Sequence, residues 1–375
     1  MAGIYIHIPF CKQKCTYCDF HFSTTFQSYR AEMMDAIHAE IVNRKEYIKD
    51  DIVNSIYFGG GTPSILTKNE LSKIFQVINQ HFTCSEKVEI TLEANPDDIT
   101  EVSLQDWKEI GINRLSIGIQ SFKQEDLEWM NRAHTVHEGL NCVGLAKQFG
   151  FQNLTVDLIY GLPNLSNEEW RSHLQTVINL GVTHVSAYCL TVEAKTTLNT
   201  LVENGKITPA TEDQQSEQFK ILVHELERAN FEQYEISNFC QPNCQAVHNT
   251  NYWKGITYLG IGPSAHSYNG ISRSWNVANN RTYIKQIQQG AVHFETEMLS
   301  PTDQFNELLM TGLRTSFGVN LLQLEAIHSL SDAFQNQLRQ LESDRFLMRK
   351  DDTIILTQKG RLQADRIASD LFIVE

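Results

Sequence analysis

Residues 7–20 read HIPFCKQKCTYCDF and contain three cysteines, Cys11, Cys15 and Cys18, in the spacing CxxxCxxC. Three thiolates can hold a [4Fe-4S] cluster through three of its irons, which leaves the fourth iron open to a chelating small molecule. The spacing therefore predicts a cluster and points to S-adenosylmethionine (SAM) as the ligand of the open iron. A structural zinc site or a disulfide loop is the alternative. Zinc usually takes four N or S ligands and favours CxxC pairs, and no second pair lies nearby.

Composition predicts a globular protein of 375 residues with enough hydrophobic residues, 41%, for a substantial core. No segment approaches the roughly twenty apolar residues of a membrane span, and the amino terminus lacks the pattern of a secretory signal. Eight cysteines suit a reducing compartment, so we expect a cytoplasmic protein. The net charge of −14 argues against nucleic acid as a partner.

Strands and helices are predicted to alternate through the first two thirds of the chain. The predicted strands are 4–8, 53–58, 88–93, 114–119, 154–159 and 182–190. The predicted helices are 29–47, 68–82, 136–149, 168–180 and 212–229. Strands separated by helices pair in parallel through right-handed crossovers, so the fold class is α/β, an incomplete (β/α)6 barrel. Chemistry in such barrels gathers at the carboxyl ends of the strands.

Residues suited to ligand binding follow these strands. Gly59-Gly60-Gly61-Thr62-Pro63 allows the backbone to approach a ligand closely, and Glu93 places a carboxylate at the end of the third strand. Gln120 and Asp157 stand at the ends of the next two strands. Each residue taken singly has an ordinary explanation as a cap or turn former, but together they predict a binding site at one edge of the sheet.

These motifs resemble the radical SAM superfamily, and more narrowly the HemN/HemW branch that contains oxygen-independent coproporphyrinogen III oxidases and haem chaperones. The resemblance spans nearly the whole chain. It includes the cysteine loop with Tyr5 ahead of it, GGGTP at 59–63, EANP at 93–96 and DLIYGLP at 157–163. It implies one-electron transfer from a reduced cluster to SAM, which produces methionine and a 5′-deoxyadenosyl radical.

The resemblance also implies a role for individual residues. Cys11, Cys15 and Cys18 ligate the cluster, and Tyr5 and Tyr17 line the SAM pocket. Gly60 contacts the methionine part of SAM, and Glu93 binds its polar groups. The oxidase holds a second SAM through positions that are matched here in kind by Gly61, Thr62, Gln120, Arg132 and Asp157.

Two functions of different classes fit this branch, an oxidase that decarboxylates porphyrinogen propionates and a carrier that binds haem. The oxidase pattern places a fourth cysteine two residues after Cys18, where this chain has Phe20. It also has a long amino-terminal extension, whereas ten residues precede Cys11 here. Both departures favour the carrier and a protein that is not an enzyme, although SAM cleavage and another radical SAM reaction on a tetrapyrrole stay open.

Residues 244–253, CQAVHNTNYW, contain an HNxxYW pattern that resembles a segment of the haem chaperones. Imidazole is a strong iron ligand, so His248 is a candidate for haem binding, and Tyr252 and Trp253 offer flat apolar area for a porphyrin. A loop is at least as well indicated here as a helix, because two asparagines interrupt the segment. Cys240 and Cys244 are weaker ligand candidates, and His266 is expected to line the SAM pocket rather than hold haem iron.

The pattern changes after residue 298. Helices are predicted over 303–315, 321–328 and 332–341, followed by strands over 346–348 and 353–356, which together indicate a small helical, winged-helix-like domain. Acidic residues outnumber basic ones there, so DNA binding is excluded and a lid or docking surface is favoured.

The sequence therefore predicts three regions: a radical SAM partial barrel over 1–235, a barrel extension with a haem-binding segment over 236–298, and the winged-helix-like domain over 299–375. We expect a haem chaperone with a [4Fe-4S] cluster and SAM that delivers haem to acceptor haem proteins, respiratory ones among them. A homodimer and a peripheral association with the membrane are left open.

Overall fold

The computed structural model describes residues 1–48, 51–290 and 294–374, which are organised around a twelve-stranded sheet. Six parallel strands lie side by side in chain order in its centre. They are Ala2–Ile8 (β1), Val53–Gly60 (β2), Cys84–Ala94 (β3), Arg114–Gln120 (β4), Asn153–Tyr160 (β5) and His184–Cys189 (β6). The predicted parallel α/β partial barrel is confirmed.

Helices between these strands cover the outer face of the barrel. They are Arg30–Asn43 (α1), Lys68–His81 (α2), Glu101–Ile110 (α3), Gln124–Trp129 (α4), Val136–Gln148 (α5) and Asn167–Leu180 (α6). A threonine or serine immediately before α2, α3, α5 and α6 forms a capping box with the third residue of the helix. These boxes satisfy backbone N–H groups that have no partner within the helix, which explains where these four helices begin.

Each central strand separates an apolar outer face from a polar inner face. In β1, Ile4, Ile6 and Ile8 are fully buried in the main core, whereas Tyr5 and His7 line the barrel interior. Successive side chains of a strand point to opposite faces, so the sequence alternation itself separates the core from the interior. The interior is therefore available for ligands.

Both edges of the parallel sheet are extended by short strands that the sequence did not predict. Thr197–Glu203 (α7), Glu212–Arg228 (α8), Glu232–Glu235 (β7) and Asn238–Cys240 (β8) follow β6, and β8 pairs with it antiparallel. After Val247–Trp253 (α9), Tyr258–Ile261 (β9) returns to pair parallel with β1. The sheet then continues through His266–Tyr268 (β10), Ser272–Asn276 (β11) and Phe294–Met298 (β12), with Asn280–Gln288 (α10) between the last two strands.

The carboxyl-terminal residues build a second hydrophobic core. Its elements are Pro301–Leu313 (α11), Val319–Asn320 (β13), Leu321–Ile327 (α12), Asp332–Ser343 (α13), Leu347–Lys350 (β14), Thr353–Leu356 (β15), Gln358–Arg361 (α14) and Ala364–Asp370 (α15). The predicted three helices and hairpin are present, and β13 joins the hairpin to form a three-stranded sheet. Within the described ranges, no helix is long and apolar enough to span a membrane.

His173 on α6 makes the stability of the fold depend on pH. Its ring packs edge-on against Phe122 and Trp170, and its side chain is 4% exposed. Burial lowers the pKa of His173 to about 4, whereas an unfolded histidine titrates near 6.5. Between these values the unfolded chain binds the proton and the folded chain does not, so stability falls as the pH falls from about 6.5 towards 4.

His173→Phe is expected to remove this pH dependence, because phenylalanine keeps the ring contacts and carries no titrating nitrogen. Between pH 7 and pH 5, the free energy of unfolding of the wild type should fall by about 2 kcal/mol more than that of the variant. Urea unfolding at both pH values measures this difference. The prediction fails if the free energy of unfolding falls equally with pH in the two proteins. His173 would then take up its proton as readily in the folded chain as in the unfolded one.

Candidate functional site

The cysteine loop is held in place by backbone hydrogen bonds at both ends. Cys11 N–H donates to the carbonyl of Ser23 at 3.1 Å, and Ser23 N–H donates to the carbonyl of Pro9 at 2.9 Å. In the middle of the loop, Thr16 N–H donates to the carbonyl of Met130 at 3.1 Å. The loop therefore has a defined path over the carboxyl end of β1, although it contains no regular secondary structure apart from short turns.

The run of glycines at 59–61 is explained by the backbone of the cysteine loop, which lies directly against it. Gly61 N–H donates to the carbonyl of Ile8 at 2.8 Å, and Thr62 N–H donates to that of Phe10 at 2.7 Å. A Cβ atom on Gly61 would lie 2.5 Å from the Phe10 oxygen, and one on Gly60, whose φ is +103°, would lie 2.5 Å from the His7 ring. Only glycine allows this close approach.

Hydrogen-bond donors lie next to two of the three cysteine sulfurs. The Thr62 hydroxyl donates to Cys11 Sγ at 3.3 Å, and the Arg132 guanidinium donates to Cys15 Sγ at 3.4 Å. Burial raises the pKa of the Cys11 thiol to about 12 and that of Cys18 to about 11. Neither thiol ionises near neutral pH unless a metal displaces its proton.

The three thiols fit a cluster better than a single ion. Among the described residues, no three Cys, His, Asp or Glu side chains form a group that could hold one metal ion. A cluster held by three cysteines has a different requirement, since each thiolate binds a different iron. Cys11, Cys15 and Cys18 all line the same cavity beside the donors Thr62 and Arg132, which suits that arrangement.

A cavity of about 1180 Å³ runs from the cysteine loop into the barrel interior. Fourteen of the fifteen predicted site residues line it. They are Tyr5, Cys11, Cys15, Tyr17, Cys18, Gly60, Gly61, Thr62, Glu93, Gln120, Arg132, Asp157, His248 and Tyr252. The structure therefore brings together residues separated by nearly 250 positions in the sequence.

Two carboxyl groups stand in this cavity: Glu93 lies near the end of β3, whereas Asp157 lies in the middle of β5 and not at its end as expected. Glu93 accepts a hydrogen bond from the Tyr57 hydroxyl at 2.7 Å, and Asp157 accepts one from Ser116 at 3.2 Å. Desolvation raises the pKa of Glu93 to about 7 and that of Asp157 to about 6. Both carboxyls can therefore hold or lose a proton near neutral pH, and their charge will respond to any cation or hydroxyl placed beside them.

Arg132 connects the cysteine loop to two strand ends. Besides its contact with Cys15, its guanidinium donates to Asn95 Oδ1 and to the carbonyl of Gly118, both at 2.7 Å. This planar group with several donors fixes the strand ends relative to the cysteine loop. Gln120 follows on the same strand with a φ of +69°, a left-handed conformation that redirects the chain where the strand ends.

His248 lies at the far end of the cavity, opposite the cysteine loop. Its ring stacks on Tyr57 with centroids 5.1 Å apart, and Nδ1 lies 2.9 Å from Ser55 Oγ. The carboxylate of Glu89 accepts the backbone N–H groups of Val247 at 2.9 Å and His248 at 3.0 Å. This carboxylate, which belongs to β3, caps the start of the segment. The stretch forms helix α9, so the helix and not the loop is correct among the two conformations that the sequence left open.

Trp253 differs from the other predicted residues because it is not among those that line the cavity. The Arg314 guanidinium lies 5.3 Å from its ring centroid, and Lys254 lies 4.2 Å from the ring of Phe317. Trp253 and Lys254 therefore pack against the carboxyl-terminal elements. Cys240 is buried in β8 and Cys244 lines a smaller cavity of about 430 Å³, so neither faces the large cavity.

The sequence analysis missed several residues of the cavity wall. Tyr57, Arg114, Ser116, His184 and Tyr188 occupy inward-facing positions of the central strands. A signal existed in the sequence, because polar residues alternate with apolar ones in these strands. The motifs at the ends of the strands do not include these inner-face positions.

Comparisons with known proteins agree with this geometry. The model of the radical SAM superfamily matches residues 5–177, and that of the HemN C-terminal domain matches residues 299–362. The heme chaperone HemW of Bacillus subtilis is 32% identical over 371 residues, which cover 98% of each chain. HemW of Mycobacterium tuberculosis is 32% identical over 375 residues, covering 98% of this chain and 94% of the relative.

A solved structure supports the fold. The coproporphyrinogen III oxidase HemN of Escherichia coli superimposes with a TM-score of 0.85 and 24% identity, over 99% of this chain and 90% of that one. Membership of the superfamily implies a [4Fe-4S] cluster and SAM, which the cavity residues fit. From its full-length similarity to these relatives, this chain belongs to the radical SAM superfamily and, within it, to the HemW family.

Proposed function

We propose that this protein is a haem chaperone, which takes up haem in the large cavity and passes it to acceptor haem proteins. The observation that carries the proposal is the cavity itself. Its volume of about 1180 Å³ exceeds the roughly 300–1,000 Å³ of an ordinary ligand pocket. Phe20, Tyr188 and Tyr252 line it and are 69%, 47% and 45% exposed. Such aromatic surface suits a flat macrocycle.

The cysteine loop and the strand ends serve cofactor binding in this proposal. Cys11, Cys15 and Cys18 hold the [4Fe-4S] cluster, which when reduced can supply an electron to SAM. Tyr5, Tyr17, Gly60 and Glu93 surround SAM in this proposal. Gly61, Thr62, Gln120, Arg132 and Asp157 match in kind the residues that hold a second SAM in the oxidase pattern. The chain's own contribution is to orient these ligands and exclude water from them.

Haem is proposed to occupy the part of the cavity bounded by His248 and Tyr252. Both belong to α9, and this helix is fastened to the barrel through the carboxylate of Glu89. The names of the full-length relatives support haem as the ligand. Trp253 is not included in the proposed haem site, because its ring packs away from the cavity.

The alternative function is oxygen-independent coproporphyrinogen III oxidase. Phe20 argues against it, since its side chain lies at the cavity where the oxidase pattern has a cysteine. A cytoplasmic location, delivery to respiratory haem proteins, a homodimer and peripheral membrane association stay predictions.

Turnover and haem uptake measured on one sample separate the two functions. The protein is reconstituted anaerobically with iron and sulfide, then given SAM, a reductant and coproporphyrinogen III. We expect no decarboxylated product, while the same sample binds haem in about one-to-one stoichiometry. Formation of protoporphyrinogen without stable haem uptake would establish the oxidase instead.

A further inference from the structure

Two cysteines outside the cysteine loop lie on either side of one tight turn. Cys240 ends β8, and Cys244 closes the β-turn that follows, where its N–H donates to the carbonyl of Gln241 at 2.9 Å. Pro242 and Asn243, whose φ is +63°, form the middle of this turn. A proline followed by a left-handed residue is typical of a type II turn, and it restricts the chain to one conformation. The turn therefore keeps the two cysteines close together.

The two sulfur atoms lie within reach of each other. The backbone N–H of Cys244 is within hydrogen-bonding distance of the Cys240 sulfur. Disulfides join cysteines whose Cβ atoms are about 4 Å apart, and a sulfur that contacts the backbone of the other cysteine is close to this geometry. Both residues are free thiols in the structure. The pair can therefore be joined without moving the strands of the sheet.

The two thiols differ in their access to solvent. Cys244 is half-buried and lines the smaller cavity of about 430 Å³. Cys240 is fully buried, and desolvation raises the pKa of its thiol to about 12. Thiol–disulfide exchange needs an accessible thiol that attacks first and a second thiol that displaces the mixed disulfide. Cys244 suits the first role and Cys240 suits the second.

We propose that Cys240 and Cys244 form a reversible redox site, which is oxidised by a low-molecular-weight disulfide such as glutathione disulfide. Cys244, as a thiolate, attacks one sulfur of glutathione disulfide and releases one glutathione. The Cys240 thiol then loses its proton to solvent and attacks the Cys244 sulfur, which releases a second glutathione and leaves the Cys240–Cys244 disulfide. The protein gives up two electrons and two protons, and glutathione disulfide takes them up as two thiols. In a reducing compartment such disulfides are usually transient and serve redox sensing or catalysis.

Oxidation restrains the chain that enters α9. Cys240 is fixed in the sheet, because β8 pairs with both β6 and β7, whereas Cys244 lies three residues before α9. Glu89 holds the first turn of this helix through two backbone N–H groups, and it lines the same small cavity as Cys244. The disulfide therefore ties the start of α9 to the barrel. This inference goes beyond the proposed haem-binding function and does not depend on it.

Mass spectrometry of the full-length, cluster-loaded protein tests the site. Trypsin cleaves after Arg228 and Lys254, so residues 229–254 form one peptide that contains both cysteines and no other. The protein is equilibrated anaerobically in glutathione buffers of increasing oxidation, and its free thiols are then alkylated. We expect this peptide to change from two alkylated cysteines to none, with the loss of two hydrogen atoms, and to return when reduced glutathione is added. A peptide that keeps two alkylated cysteines in glutathione disulfide alone overturns the proposal.

Two variants test which thiol attacks first. In Cys240→Ala the mixed disulfide cannot be displaced, so Cys244 should retain glutathione on more than about half of the chains. Cys244→Ala leaves only the buried thiol and should carry less than about a tenth of that amount. Cys240→Ser replaces the alanine variant if that protein does not fold. Equal amounts of bound glutathione in the two variants would contradict the assigned roles.

Hydrogen exchange measures the restraint on α9. The backbone amides of Val247 and His248 should exchange at least about threefold more slowly in the oxidised protein than in the reduced one. The amides of α2, which lies outside this region, serve as the control and should not change. Unaltered exchange at α9 in a protein that carries the disulfide would overturn the restraint, whereas the peptide analysis decides separately whether the disulfide forms.

Discussion

Cys11→Ala, Cys15→Ala and Cys18→Ala are each expected to reduce the iron content of the reconstituted protein to less than about a tenth of the wild-type value. Each thiolate binds a different iron, so the loss of one opens a second iron to water and oxidation. Thr62 donates a hydrogen bond to Cys11, and Arg132 donates one to Cys15. Both groups stabilise the sulfur atom, but neither can replace it as an iron ligand. Iron and acid-labile sulfide per chain measure the effect.

Cys142→Ala is the matched control for these variants. Cys142 is a buried free cysteine on α5, outside the cavity, whose thiol donates to the carbonyl of Gly139 at 3.2 Å. We expect this variant to keep the full iron content. A Cys11, Cys15 or Cys18 variant with wild-type iron would show that the cluster is held by another set of ligands.

Glu40→Ala is expected to lower the free energy of unfolding by about 4 kcal/mol, a large share of the total stability of a domain. The Glu40 carboxylate is fully buried and accepts hydrogen bonds from Gly262 N–H at 2.8 Å, Asn276 at 2.8 Å and the Tyr283 hydroxyl at 2.6 Å. It also pairs with the buried Arg44 at 3.4 Å. Alanine removes this acceptor from all four groups, of which Arg44 keeps the Gly260 carbonyl and Asn276 keeps the Gly262 carbonyl.

The same substitution should loosen the part of the cavity wall formed by β9 to β11, because Gly262 begins the turn between β9 and β10 and Asn276 ends β11. Haem affinity is therefore expected to fall together with stability, while the cysteine loop, which Glu40 does not contact, still assembles its cluster. Denaturant unfolding, haem titration and iron analysis measure these three properties. Asp35→Ala removes an exposed carboxylate from the same helix and serves as the control. A loss of stability below about 1 kcal/mol in Glu40→Ala would refute this role.

Much of the central barrel could be predicted from the sequence, because each of its strands shows a recognisable pattern of apolar residues in its own local sequence. The predicted strand over 114–119 corresponds to Arg114–Gln120, and the helix over 68–82 to Lys68–His81. Alternating apolar residues in the strand and a capping box at the helix mark these elements locally. The cysteine loop and the strand ends lie together because parallel strands meet at one edge of the sheet.

The parts that were missed depend on contacts between distant residues. Strands β7 to β11 have three to five residues each, and such short segments acquire strand structure mainly by pairing with their neighbours. Helix α9 is capped by Glu89, which lies 158 positions earlier. Strands β9 to β11 join the cavity wall only when β9 returns to β1, so no local pattern at His266 could indicate that it faces the same cavity as His248.

The most direct test of the haem-carrier function is an equilibrium titration of haem into the anaerobic, cluster-loaded protein, followed by difference absorption spectra. The proposed function predicts a saturable signal that ends near one haem per chain and reverses when an apo-haem protein is added. A signal that rises without saturation, or no signal at all, would contradict it.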